Sequence, residues 1–155
     1  RLNNITSIAK GEPGIVYLGT WGQGVWRFNT ITEQLKKMDE LESVGSKIKD
    51  ICRLSTGEIA IAYANSGFCI YNPETREYTH YMDYSEEPNM SYYHLDIMNI
   101  IEGENGVLWL VTGNGLIRFN RINREFHVFL SSDKMSGKKY NSFFTSLLID
   151  SKNRF

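Results

Sequence analysis

The sequence lacks an excess of charge of either sign: Lys and Arg total 17 and Asp and Glu 18, a formal net charge of −1. A general nucleic-acid binder needs a basic excess or stripe, so that class is disfavoured. Long apolar runs are absent too. The longest, Ile59 to Ala64, is six residues, and Val107 to Val111 is five, whereas a membrane helix needs about 20. No membrane contact is therefore expected of this segment. The chain opens Arg1-Leu2-Asn3-Asn4, without Met, a basic start or an apolar stretch. No secretory leader is read there, and the expectation is a segment of a longer protein. Alanine is scarce, which disfavours a helical bundle. There is no His-Glu-x-x-His run, zinc-type Cys spacing, P-loop or Gly-x-Ser-x-Gly elbow, so neither a metal site, a cofactor nor a familiar catalytic motif is expected. Gly113-Asn114-Gly115 lies between two strand-like runs, where a dinucleotide fingerprint would require a helix to follow.

What is present points to strands and tight turns. There are nine Tyr, eight Phe, three Trp and 13 Gly, and aromatic residues favour strands while Gly punctuates them. One segment occurs three times: Phe28-Asn29-Thr30-Ile31-Thr32, Tyr71-Asn72-Pro73-Glu74-Thr75 and Phe119-Asn120-Arg121-Ile122-Asn123. Before each copy lies a strand-like pair. These are Val16–Thr20 with Gly24–Arg27, Ile59–Tyr63 with Gly67–Ile70, and Leu108–Thr112 with Gly115–Arg118. Each unit opens on Ile-x-polar-Ile, as Ile5–Ile8, Ile48–Ile51 and Ile97–Ile100, with a fourth copy at Phe144–Leu147. Ile8, Ile51, Ile100 and Leu147 stand 43, 49 and 47 residues apart. Four in-phase copies define repeats at about 4–38, 47–81, 96–129 and 143–155.

Each unit holds four short strand-like runs, here a to d. In the first they fall near 5–9, 15–20, 24–29 and 34–38. Four antiparallel strands in a unit of this length is the signature of a β-propeller blade. The fold expected is all-β: a partial β-propeller of about three four-stranded antiparallel blades plus the start of a fourth, in one domain. A β-sandwich would supply similar turn spacing but not in-phase modules. Closed propellers have about four to eight blades, so the partners expected first are missing blades of the same chain. The uncapped chain alone is expected to aggregate or pair by its edges.

Val16-Tyr17-Leu18-Gly19-Thr20-Trp21-Gly22-Gln23-Gly24-Val25-Trp26-Arg27-Phe28-Asn29 resembles the two-component regulator propeller repeat, and so does Asn105 to Asn120. That repeat is marked by Asp-x-x-Gly-x-Leu-Trp-hydrophobic-Gly-Thr, then Gly-Leu, then aromatic-Asp/Asn. The second unit departs from it, with Ala60 at the strand b aromatic and Ala62-Tyr63 in place of Gly-Thr, and the third has Val111 for Gly. The Gly-His and Trp-Asp marks of WD repeats are absent. The resemblance implies the periplasmic sensor region of a bacterial hybrid two-component histidine kinase, which binds a carbohydrate fragment and controls transcription. The alternative is a non-catalytic structural or protein-interaction propeller without a small ligand, including one that forms a homodimer.

Alternating strand directions put the b–c turns and d–a connections on one side of every blade. The d–a connections, about 39–46, 82–94 and 130–142, are long and differ in each copy. Variable loops on a repeated scaffold are where binding usually sits. The candidate ligand residues are Trp21, Gln23, Tyr63, Asn65 and Asn114 from the b–c turns, with Tyr92, Tyr93, His94 and Tyr140 from the connections. Aromatic faces beside amides suit an oligosaccharide, because rings cover C–H surface while amides pair hydroxyls. Trp26, Trp109, Phe28, Tyr71 and Phe119 recur at fixed positions and are assigned to the interblade core. His80 and His127 are expected to face solvent on strand d. Asp39-Glu40, Glu42 and Glu86-Glu87, and the lysines at 134, 138 and 139, read as solvated loop charges. Cys52 and Cys69 fall on strands a and c with strand b between them, too far apart for a disulfide.

Overall fold

The computed structural model describes residues 2–81, 96–113, 115–130 and 146–147. It contains three four-stranded antiparallel sheets, each paired in chain order. The first holds β1 (Ile5–Lys10), β2 (Ile15–Thr20), β3 (Val25–Asn29) and β4 (Gln34–Lys37). The second holds β5 (Ile48–Arg53), β6 (Ile59–Tyr63), β7 (Phe68–Tyr71) and β8 (Tyr78–Tyr81). The third holds β9 (Ile97–Glu102), β10 (Val107–Thr112), β11 (Gly115–Asn120) and β12 (Glu125–Leu130). These are the blades that the repeat predicts, with strand bounds within a residue or so. The first strands β1, β5 and β9 pack side by side and so lie innermost. The start of a fourth blade falls outside the described residues, apart from Ser146 and Leu147.

Turn chemistry explains the strand ends. In every blade the Asn that closes strand c bends the chain by accepting backbone N–H groups just ahead of it. Asn29 Oδ1 takes those of Ile31 and Thr32 at 2.9 and 3.0 Å, Asn72 that of Glu74 at 2.9 Å, and Asn120 that of Ile122 at 2.9 Å. This is the side-chain turn for which Asn is suited. At the other end, buried Thr20 and Thr112 close the b–c turns by donating to Gly24 O at 2.7 Å and Gly115 O at 3.0 Å.

Successive residues of a strand point to opposite faces, and here each face meets a different blade. Ala9, Ile15, Tyr17 and Val25 of the first blade pack against Ile48, Ile51, Ile59, Ile61, Tyr63, Cys69 and Tyr71 of the second. The second blade's other face brings Ala60, Ala62, Phe68 and Ile70 against Ile97, Ile100, Leu108, Leu110, Ile117 and Phe119 of the third. Strand β6 is therefore buried along its whole length, which is why it reads as an unbroken apolar run. Tyr71 and Phe119 are core, as expected. Trp26 and Phe28 occupy the same positions on the first blade, whose outward face carries Ile8 at 63% and Leu35 at 41% exposure, so both are only half-buried.

The departures from the repeat are compensated locally. Where β2 has Tyr17 and β10 has Trp109, β6 has Ala60. That interface is filled instead by the rings of Phe68, Tyr81, Phe119 and Phe126, with Phe68 stacked 4.8 Å from Tyr81 and Phe119 4.5 Å from Phe126. Gly19, Ala62 and Val111 are also equivalent. At Gly19 a Cβ would come within 2.6 Å of Ile48 Cγ2, so the first two blades close on one another only because that side chain is missing.

The polar position of Ile-x-polar-Ile has a structural role that the pattern alone does not reveal. An innermost strand has no sheet neighbour toward the axis, so its inward N–H groups need other acceptors. The preceding blade supplies them. Ser7 Oγ accepts the Ile51 N–H at 3.0 Å, Asp50 Oδ2 that of Ile100 at 2.9 Å, and Asn99 Oδ1 that of Leu147 at 3.2 Å. The side chains are also linked to each other. Ser7 Oγ donates to Asp50 Oδ1 at 2.7 Å and Asn99 Nδ2 to Asp50 Oδ2 at 2.7 Å. A polar relay therefore runs from blade to blade along the axis.

Candidate functional site

The b–c turn of the first blade is fastened to the connection that enters the second. Gly22 N and Gly24 N both donate to Ser46 O at 2.9 Å, and Trp21 forms a single antiparallel bridge with Lys47. Lys47 O in turn accepts the Ala64 N–H at 2.9 Å, which ties in the b–c turn of the second blade. Two turns and one connection thus meet at one corner of the propeller face, near the axis, on the side anticipated from strand direction.

Trp21 is 42% exposed at this corner. The ammonium of Lys47 lies 5.5 Å from its ring centroid and that of Lys49 lies 5.2 Å away. Lys49 Nζ also stands 3.5 Å from Asp96 Oδ1 and 3.3 Å from Met98 Sδ, so it reaches from the first blade's turn to the third blade's innermost strand. Gln23 is half-buried. Its Oε1 accepts the Asn3 N–H at 2.9 Å and its backbone carbonyl takes the Trp26 indole N–H at 3.0 Å, so it shapes the turn. Asn65 is exposed at the tip of the second turn with φ 57, a left-handed conformation that Asn tolerates better than most residues.

Tyr63 does not belong to this site. It is the last residue of β6, on the same face as Ile59 and Ile61, and is 1% exposed. Its hydroxyl sits 3.6 Å from Cys69 Sγ inside the interface with the first blade, and burial pushes its pKa far above the ordinary tyrosine value. Strand period two, not turn geometry, decides where it points. His80 is also corrected: it is half-buried, with Nε2 2.8 Å from Ser66 O, and braces the second b–c turn. His127 is exposed. Asn114, Tyr92, Tyr93, His94 and Tyr140 lie outside the described residues, as do Glu86, Glu87 and the lysines at 134, 138 and 139. Sequence reasoning missed Lys47 and Lys49. They flank Ile48 at the entry to β5, where the register against β6 shifts between Ile48 and Asp50, so strand alternation does not mark them in the sequence.

Two clefts lie elsewhere, among the outer strands. One, of about 590 Å³, is lined by residues including Glu58, Asn72, Arg76 and Tyr78. The other, of about 370 Å³, lies between the first two blades and includes Tyr17, Arg27, Lys36 and Tyr71. In the second cleft the polar groups are largely engaged with each other. Tyr71 donates to Glu40 at 2.9 Å and Tyr17 approaches both Glu12 oxygens at 3.3 Å. Burial raises the Tyr17 pKa to about 12. Cys52 and Cys69 are both free thiols, pushed by burial to about 11 and about 12 respectively. They lie on β5 and β7, with β6 between them. No helix among the described residues is long and apolar enough to cross a membrane.

No protein-family model and no curated protein matches the chain, but solved structures do. The extracellular domain of BT3049, assigned as a hybrid two-component system of Bacteroides thetaiotaomicron, superposes with a TM-score of 0.67 at 25% identity, over 83% of this chain and 17% of that one. The extracellular domain of BT4673 from the same organism gives 0.74 at 15% identity, over 98% of this chain and 19% of its own length. An auxiliary nutrient binding protein, also from Bacteroides thetaiotaomicron, gives 0.62 at 14% identity, over 84% of this chain and 31% of that one. The chain therefore spans roughly a fifth of those two chains. In fold, this run of propeller blades is similar to the extracellular domains of these Bacteroides two-component proteins.

Proposed function

We propose that this chain is part of the ligand-sensing propeller of a bacterial two-component sensor, that it binds a carbohydrate fragment on the b–c face, and that occupancy is relayed to a histidine kinase which alters transcription. The segment itself is non-catalytic in this reading and lies in the periplasm. The observation that carries it is the likeness to extracellular two-component domains over most of the chain. Trp21 supports the ligand class. It is an exposed indole on the same face as the exposed amide turn at Asn65, and rings and amides on one face suit a polyhydroxylated ligand. Thiols with raised pKa values, here buried Cys69 and half-buried Cys52, are slow to oxidise, which accommodates two free cysteines in an oxidising compartment.

The test is in the intact protein. Trp21, Asn65 and Tyr93 are replaced singly by Ala, and affinity for a panel of oligosaccharides is measured beside the melting temperature. Lost affinity with unchanged melting supports the site. Unchanged affinity in all three variants, or no binding of any oligosaccharide, removes it. In the alternative reading, a propeller that serves protein contact, including homodimerisation, the panel gives no ligand.

A further inference from the structure

Two ammonium groups, those of Lys47 and Lys49, converge on the Trp21 ring, and the charge around them is not balanced. The carboxylate that answers is Asp96, 3.5 Å from Lys49 Nζ. Among the described residues Lys47 makes no ion pair. Counted over the described residues, the corner therefore carries a net positive charge, although the chain as a whole is at −1. Two cations held within reach of one ring repel each other, and the electron-rich ring face offsets only part of that. Bringing an anion to the corner relieves the repulsion, whereas a neutral molecule does not. The ring itself stays accessible, at 42% exposure, so that its apolar surface remains available for contact.

The arrangement is also directional. Lys49 is tethered between Asp96 and Met98 at the axis. Lys47 is held through its backbone, by the bridge to Trp21 and the Ala64 N–H, which leaves its side chain to follow a ligand. One ammonium is fixed, one is adaptable, and both are near an aromatic plane. We infer that Trp21, Lys47 and Lys49 form a subsite for an acidic sugar residue: a pyranose whose C–H face meets the indole and whose carboxylate or sulfate group pairs with the two ammoniums. The inference rests on the saccharide-binding reading above and narrows it to acidic glycans.

Calorimetric titration of the intact protein with three matched probes tests this. The probes are oligogalacturonate, a sulfated galactan oligosaccharide, and an unsulfated galactan oligosaccharide of the same length. The expected result is binding of at least one acidic probe, weakened by added salt. Lys47→Gln and Lys49→Gln should each lower that affinity about 5- to 10-fold, the usual weight of one exposed charge-assisted contact, with melting unchanged. Which acidic probe binds separates carboxylate from sulfate recognition. Lys47→Gln keeps the test sound should Lys49→Gln disturb Asp96. Neutral galactan binding as tightly as the acidic probes, or acidic binding indifferent to both substitutions, overturns the acidic subsite and leaves saccharide binding standing. Failure of all three probes counts against both.

Discussion

Asp50 is the most heavily used acceptor of the axial relay, and its removal has a calculable effect. Its Oδ1 accepts from Ser7 Oγ at 2.7 Å and from its own neighbour Ile51 N at 2.9 Å. Its Oδ2 accepts from Asn99 Nδ2 at 2.7 Å and Ile100 N at 2.9 Å. Hydrogen bonds to a charged group are each worth about 1.5–3 kcal/mol net. They are not all lost in Asp50→Ala. The Ser7 hydroxyl and the Asn99 amide can turn to water, and Ile51 N keeps Ser7 Oγ at 3.0 Å. The Ile100 N–H is the donor left stranded between two blades. The net cost is then about 2–4 kcal/mol. Asp50→Asn retains one acceptor oxygen, which can face Ile100 and Asn99 while the Ser7 hydroxyl turns to accept, so about 1–2 kcal/mol is expected. Hydrogen exchange of the Ile100 amide in the intact protein reads this directly. At 1.4 kcal/mol per tenfold, Asp50→Ala should speed exchange at Ile100 by about 30-fold or more, and exchange at Ile51 by clearly less. Equal, small effects at both amides would refute the relay as a source of blade-to-blade cohesion.

Gly19→Val should cost about 1–3 kcal/mol, the usual penalty of overpacking a closed interface, because the new Cβ meets Ile48 at 2.6 Å; thermal unfolding checks this, and a neutral result would mean the first two blades are loosely apposed. Thiol titration should find two reactive cysteines after denaturation without reductant, and very slow reaction at pH 8 before it, since burial raises Cys52 to about 11 and Cys69 to about 12. The same shifts set a pH dependence. Above pH 9 the unfolded chain releases thiol protons that the folded chain retains, so stability present below pH 9 is lost as pH rises toward 11–12. Melting across pH 8 to 11 should show this decline, with a shallower slope in Cys69→Ala.

Much of the fold was legible because each blade repeats its punctuation. The Asn at the end of strand c, the Gly or Asn of the b–c turn and the paired isoleucines of strand a recur in phase, and those positions delimit strands. The meaning of the polar residue between the isoleucines was not legible. Ser7, Asp50 and Asn99 differ in charge, and only blade-to-blade placement reveals that each accepts the next blade's N–H. Tyr63 was misplaced for a related reason. A residue just before a turn resembles a turn residue in sequence, but its strand parity turns it into the interface. Lys47 and Lys49 escaped notice because they flank an invariantly apolar position of the repeat, where attention falls on Ile48. Their convergence on Trp21 depends on packing between repeats.

The face opposite the b–c turns offers an internal control, because its c–d turns at 30–33, 73–76 and 121–124 are built by the same scaffold. The central claim is that the b–c face is the one that meets the ligand. Hydrogen exchange of the intact protein, with and without a binding oligosaccharide, compares the two faces in one measurement. Protection is expected at 20–24, 46–49 and 64–66, with the c–d turns unchanged. Protection centred on the c–d turns, or on the cleft at Tyr17, Arg27 and Tyr71, would contradict the account.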